Sequence, residues 1–126
     1  MTRATGSSLP LVLPVVFATL LAAVVGSAAE ERIFILNLER GQVPQDMQVI
    51  QVQQGDQVKL RWITDKAIVI HLHGYDLLKT VEPGQLAELA FDARAAGRFP
   101  VSEHVEGAAG HGHGHRSLLR LEVRPR

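Results

Sequence analysis

"QGDQVKLRWITDKAIVIHLHG", Gln54 to Gly74, carries two period-2 patterns one after the other and decides the fold class. Gln54-Gly55-Asp56 is a turn signal. Beyond it Val58, Leu60 and Trp62 alternate with Gln57, Lys59 and Arg61, the mark of a strand with one buried face. Trp62 continues the Val58 and Leu60 face and reads as a core residue. Ala67 to His73 is a second strand. Side chains alternate across a strand, so Ile68, Ile70 and Leu72 share one face, and Val69, His71 and His73 the other.

The same reading extends in both directions. Ile33-Phe34-Ile35-Leu36 is a short β-rich run, ended by the polar, turn-prone segment Glu39 to Asp46, and Met47 to Gln53 follows, rich in valine and isoleucine. Pro83-Gly84 is a turn, after which Ala87, Leu89 and Phe91 alternate. Gly97 opens Phe99 to Glu103, and Leu119, Leu121 and Val123 form the last strand before Pro125. About eight short strands with regular turns imply an all-β antiparallel sandwich or small barrel. Ala90 to Ala96 has a helical turn as its alternative reading. No internal repeat is present.

The chain has 126 residues and begins with a segment that reads as an export signal. Arg3 supplies the positive end, Leu9 to Val25 is apolar apart from Pro10 and Pro14, and Gly26-Ser27-Ala28-Ala29 offers small residues for cleavage. The alternative is an uncleaved anchor, because the apolar run is about 17 residues, at the lower limit for a span. Residues 1–29 are therefore expected to be a signal peptide and 30–126 one exported domain, periplasmic or extracellular, with no membrane span once the signal is cleaved. Its acids and bases nearly cancel, which gives no reason to expect a nucleic-acid partner. With no cysteine, neither a disulfide framework nor a thiolate ligand is available.

All six histidines lie between positions 71 and 115. His71 and His73 share a strand face. Phe99, Val101 and Glu103 fall on one face of their strand, Pro100, Ser102 and His104 on the other. "GAAGHGHGHRS", Gly107 to Ser117, then spaces His111, His113 and His115 with glycine, so the stretch 107–115 reads as a flexible Gly/His-rich loop. Imidazole binds Cu(II), Zn(II) and Ni(II) well, and glycine spacers let a loop fold around an ion. The bland alternative is a solvated loop and a locally hydrogen-bonded histidine pair.

Four segments together resemble the cupredoxins, most closely small periplasmic cupredoxin-like domains with a histidine-glycine-aromatic motif. They are "VQQGDQVKLRW" (Val52 to Trp62), "HLHGYDLLKTVEPGQLAELAF" (His71 to Phe91), "AGRFPVSEHVEG" (Ala96 to Gly107) and the closing strand Leu118 to Val123. The resemblance implies a Greek-key β-sandwich or barrel. It puts the first histidine ligand at His73, the family's cysteine at Glu103 or Ser102, and the second histidine at His111 or His113. The axial methionine has no counterpart, since Met47 lies in an early segment. A blue-copper centre needs the copper–thiolate bond, so this chain cannot form one by itself.

What remains is a nitrogen- and oxygen-rich set: His73, with His71, Glu103, His104, His111, His113 and His115 as companions. It suits Cu(II), which binds such ligands most tightly among the divalent ions, with zinc or nickel as rivals. The expected function is metal binding for copper delivery, buffering or tolerance, with the metal ion and a periplasmic or membrane metalloprotein as partners, and no enzymatic activity. The alternatives are a structural or interaction module that has lost the site, and an enzyme with a type-2-like copper centre. Asp76 is a candidate acceptor for a ligand imidazole, or simply a turn residue.

Overall fold

The computed structural model describes residues 28–104 and 115–126, together with residues 2, 3, 6, 9, 10 and 26. Most of the proposed signal, and His111 and His113, lie outside the described residues. No helix among the described residues is long and apolar enough to cross a membrane.

Eight strands are present among the described residues: β1 (Glu31–Leu38), β2 (Val49–Gln53), β3 (Gln57–Thr64), β4 (Ile68–Leu72), β5 (Leu77–Val81), β6 (Ala87–Asp92), β7 (Gly97–His104) and β8 (His115–Arg124). They form a three-stranded sheet in the order β1-β3-β6 and a five-stranded sheet in the order β2-β8-β7-β4-β5. β1 runs parallel to β3 and β2 parallel to β8, while every other pair is antiparallel. The chain has a cupredoxin-like, all-β sandwich fold.

The alternation read from the sequence is what closes the sandwich. Val58, Leu60 and Trp62 from one sheet meet Ile68, Ile70, Leu72, Val101 and Leu121 from the other, all buried. Local differences from the sequence reading have simple causes. Leu77–Val81 forms β5, a strand too weakly patterned to stand out, because as an edge strand it buries fully only Val81. Pro44 starts a 3₁₀ turn over Gln45–Met47, so β2 begins at Val49 and not at Met47. No helical turn forms over Ala90–Ala96, because pairing with β3 carries β6 through Asp92.

One irregularity sets the register that matters most. β7 and β8 pair Val101 with Leu119 but Ser102 with Ser117, so Leu118 is an extra residue in a β-bulge. Without the bulge, Val101–Leu119 pairing would put Arg116 opposite His104. With it, His115 stands opposite His104. His115 thus opens β8 and is not part of the preceding loop as the sequence suggested.

Candidate metal centre

β4, β7 and β8 are neighbours in the five-stranded sheet, and their outward positions carry the imidazoles. Ile68, Ile70 and Leu72 face the core, which leaves Val69 and His71 on the outer face. His71 is opposite Ser102, and Val69 is opposite His104, which in turn faces His115. His73 follows the end of β4, where its N–H donates to the Pro100 carbonyl at 3.0 Å and so prolongs the ladder.

Four rings therefore form an arc. The His71 and His73 centroids are 4.0 Å apart, His73 and His115 5.6 Å, and His104 and His115 5.6 Å. Ser102, almost fully buried, holds the middle of the arc: its Oγ is 2.7 Å from His73 Nε2. That bond occupies one ring nitrogen and leaves His73 Nδ1 for other contacts. It is the local partner that sequence reading sought in Asp76. Asp76 instead adopts a left-handed backbone (φ 53) in the turn to β5 and makes no hydrogen bond to a histidine among the described residues.

The turn after His73 is itself fixed. A Cβ on Gly74 (φ 84) would stand 2.5 Å from Phe99 Cδ1, so the Phe99 ring lies against the glycine backbone. The Tyr75 hydroxyl donates to the Ala95 carbonyl at 3.0 Å and accepts from the Ala95 N–H at 3.2 Å. Its ring packs on Phe91 and Phe99 with centroids 5.1 and 4.9 Å away. These contacts tie the base of His73 to the β6–β7 connection.

The structure separates Glu103 from the arc. Glu103 pairs with Ile70, a core residue, so it leaves β7 on the face opposite Ser102 and His104. Its Oε1 is 3.1 Å from Lys66 Nζ, and its buried Oε2 has no hydrogen-bond partner among the described residues. Alternation alone dictates this, because position 103 shares the face of Phe99 and Val101. Glu103 and His104 meet only along a cavity of about 390 Å³ at the end of β7, beside Lys66 and Thr80. Among the described residues, no three potential ligand side chains converge closely enough to hold an ion as they stand. What stands together is the imidazole arc.

No family model matches the chain, and no curated protein matches it. Solved structures do match, in fold. A multicopper oxidase from Pseudomonas thermotolerans superposes with a TM-score of 0.57 at 24% identity, over 79% of this chain and 31% of that one. A copper-binding protein determined by NMR in its apo form gives 0.55 at 10% identity, over 79% of this chain and 93% of that one. A heme-copper terminal oxidase gives 0.54 at 15% identity, over 76% and 65%. The chain thus spans less than two thirds of both oxidases. At these identities the likeness is one of fold, and it agrees with the cupredoxin resemblance of the four sequence segments.

Proposed function

We propose that this chain is an exported copper-handling protein that takes up Cu(II) through imidazole nitrogens on the outer face of its five-stranded sheet. The observation that carries the proposal is the arc His71–His73–His115–His104, assembled from three strands and brought into register by the β7–β8 bulge. The donor chemistry fits the oxidised ion. A set of neutral imidazoles without thiolate or thioether favours Cu(II) over soft Cu(I). Such a site retains the ion and passes it on as Cu(II), which suits buffering or delivery better than electron transfer. Copper proteins among the fold neighbours support the choice of copper over zinc or nickel.

In this reading Ser102 orients His73 by holding Nε2, so that His73 ligates through Nδ1. His71 and His115 are the nearest companions among the described residues, and His111 and His113 of the Gly/His-rich stretch are further candidate donors. The protein is a binding protein and not an enzyme.

The test is Cu(II) titration of the untagged chain against three variants: His71→Ala/His73→Ala, His104→Ala/His115→Ala, and His111→Ala/His113→Ala. A stoichiometric complex weakened at least tenfold by either of the first two pairs supports the arc. Loss confined to the loop pair would move the site off the sheet. The absence of any stoichiometric complex would favour a second reading, an interaction module on the same fold, which the lack of a three-ligand cluster among the described residues supports.

A further inference from the structure

β2 begins only at Val49 and first pairs at Arg120, so the opening half of β8 has β7 on one side and a groove on the other. The groove encloses about 580 Å³ between the loop that follows β1 and the β8 stretch from Arg116 to Arg120. We infer that it is a binding site for a small polyvalent oxyanion, a polycarboxylate or a phosphate. No histidine among the described residues lines it, and the inference does not rest on the copper reading.

Three guanidinium-bearing residues, Arg40, Arg116 and Arg120, line this one groove in a chain whose acids and bases are equal in number. Arg120 is neutralised by Glu122, with Nη2 to Oε1 at 3.0 Å. Arg40 and Arg116 have no carboxylate partner for their guanidinium groups among the described residues. Of the acids nearby, Asp65 accepts the Arg40 backbone N–H at 3.4 Å, and Glu103, opposite Arg116 in register, is held by Lys66. Two unneutralised cations beside one concavity create a local positive field. A guanidinium presents its donors as a planar fork that matches carboxylate and phosphate oxygens two at a time.

The arginines are also placed. A Cβ on Gly41 would lie 2.1 Å from Arg116 Nη1, so that guanidinium rests directly against the glycine backbone. Glu39 and Gln42 exchange two backbone hydrogen bonds of 3.0 Å across Arg40 (φ 51) and Gly41 (φ 75). Positive φ at both central residues is the signature of a type I′ turn, which favours Asn, Asp or Gly at the first of them. An arginine there works against the backbone, and residues held in such conformations cluster at binding sites. The turn would be better served by asparagine; the groove is better served by a guanidinium.

The experiment is calorimetric titration of the whole, metal-free chain at low ionic strength with citrate and, separately, with inorganic phosphate, with acetate as the monovalent control. Saturable binding of one or both polyvalent anions is expected, and the tighter of the two names the ligand class. Arg116→Gln and Arg40→Asn should each weaken it at least tenfold, with Arg40→Asn leaving thermal stability unchanged or raised. Arg98→Gln, at a highly exposed residue outside the groove, should leave it unchanged. No saturation by either anion at millimolar concentration, or equal loss in Arg98→Gln, would overturn the inference.

Discussion

Asp56 is the residue on which the strand framework leans most heavily, and replacing it with alanine is a direct test of that. Its side chain is 1% exposed. It accepts the Gln53 N–H at 3.0 Å, the Glu30 N–H at 3.2 Å and Arg126 Nη2 at 2.6 Å, with Arg32 Nε at 3.6 Å. One carboxylate thus joins the β2–β3 turn, the entry to β1 and the end of the chain. Alanine leaves two backbone donors without their acceptor, at about 1–3 kcal/mol each. The two arginines reach solvent and add little. A loss of about 3–5 kcal/mol follows, a large part of the roughly 5–15 kcal/mol that holds a domain together.

Burial pushes the Asp56 carboxyl up, but the Gln53 and Glu30 N–H groups, then Arg126 and Arg32, outweigh it and hold it below its ordinary value of 3.8. The native state therefore favours the ionised form. Its stabilisation is complete above that ordinary value and is lost as pH falls through the lower native one. Urea unfolding of wild type and Asp56→Ala should differ by the full amount at neutral pH, and the gap should narrow only in strong acid. A difference below about 1 kcal/mol at neutral pH would mean that the two N–H groups do not depend on this carboxylate.

Lys66→Met should destabilise by about 1–3 kcal/mol in urea unfolding, since it strands a buried carboxylate, whereas Glu103→Leu should be close to neutral because it removes the stranded group itself. Gly74→Ala should cost about 2 kcal/mol or more by thermal or urea unfolding, combining a left-handed backbone with a clash against Phe99. Ser102→Ala should lower Cu(II) affinity about tenfold. It should also shift the His73 ring-nitrogen resonances in the metal-free protein, which a purely structural serine would not do.

The sandwich was legible because burial imposes a period of two, and Val58–Leu60–Trp62 and Ile68–Ile70–Leu72 show it without interruption. β5 was not legible, because an edge strand need satisfy only part of one face. That His71 and His73 share one face, and that Glu103 shares the face of Phe99 and Val101 and not that of Ser102 and His104, followed from alternation within single strands. Glu103 still counted as a candidate ligand, because only the pairing with Ile70 shows that its face is the buried one. The approach of His104 to His115 did not. It depends on a one-residue slip at Leu118, and nothing in the composition of that strand announces a bulge. Alternation placed Ser102 on the face of His104 within its own strand, whereas its hydrogen-bond partner is His73 across the ladder, a relation that only register between strands creates. Asp56 looked like an ordinary turn residue because Glu30, Arg32 and Arg126 arrive from distant parts of the chain, and Arg40 did because the other wall of its groove is built by β8.

Electron paramagnetic resonance of the untagged chain at one equivalent of Cu(II) reads the identity of the ligands directly. A site on the sheet gives couplings from more than one imidazole nitrogen, no thiolate charge-transfer colour, and collapse of the spectrum when His71, His73, His104 and His115 are all replaced by alanine. A spectrum indistinguishable from that of loosely held aqueous copper, or one that survives the fourfold replacement unchanged, would contradict it.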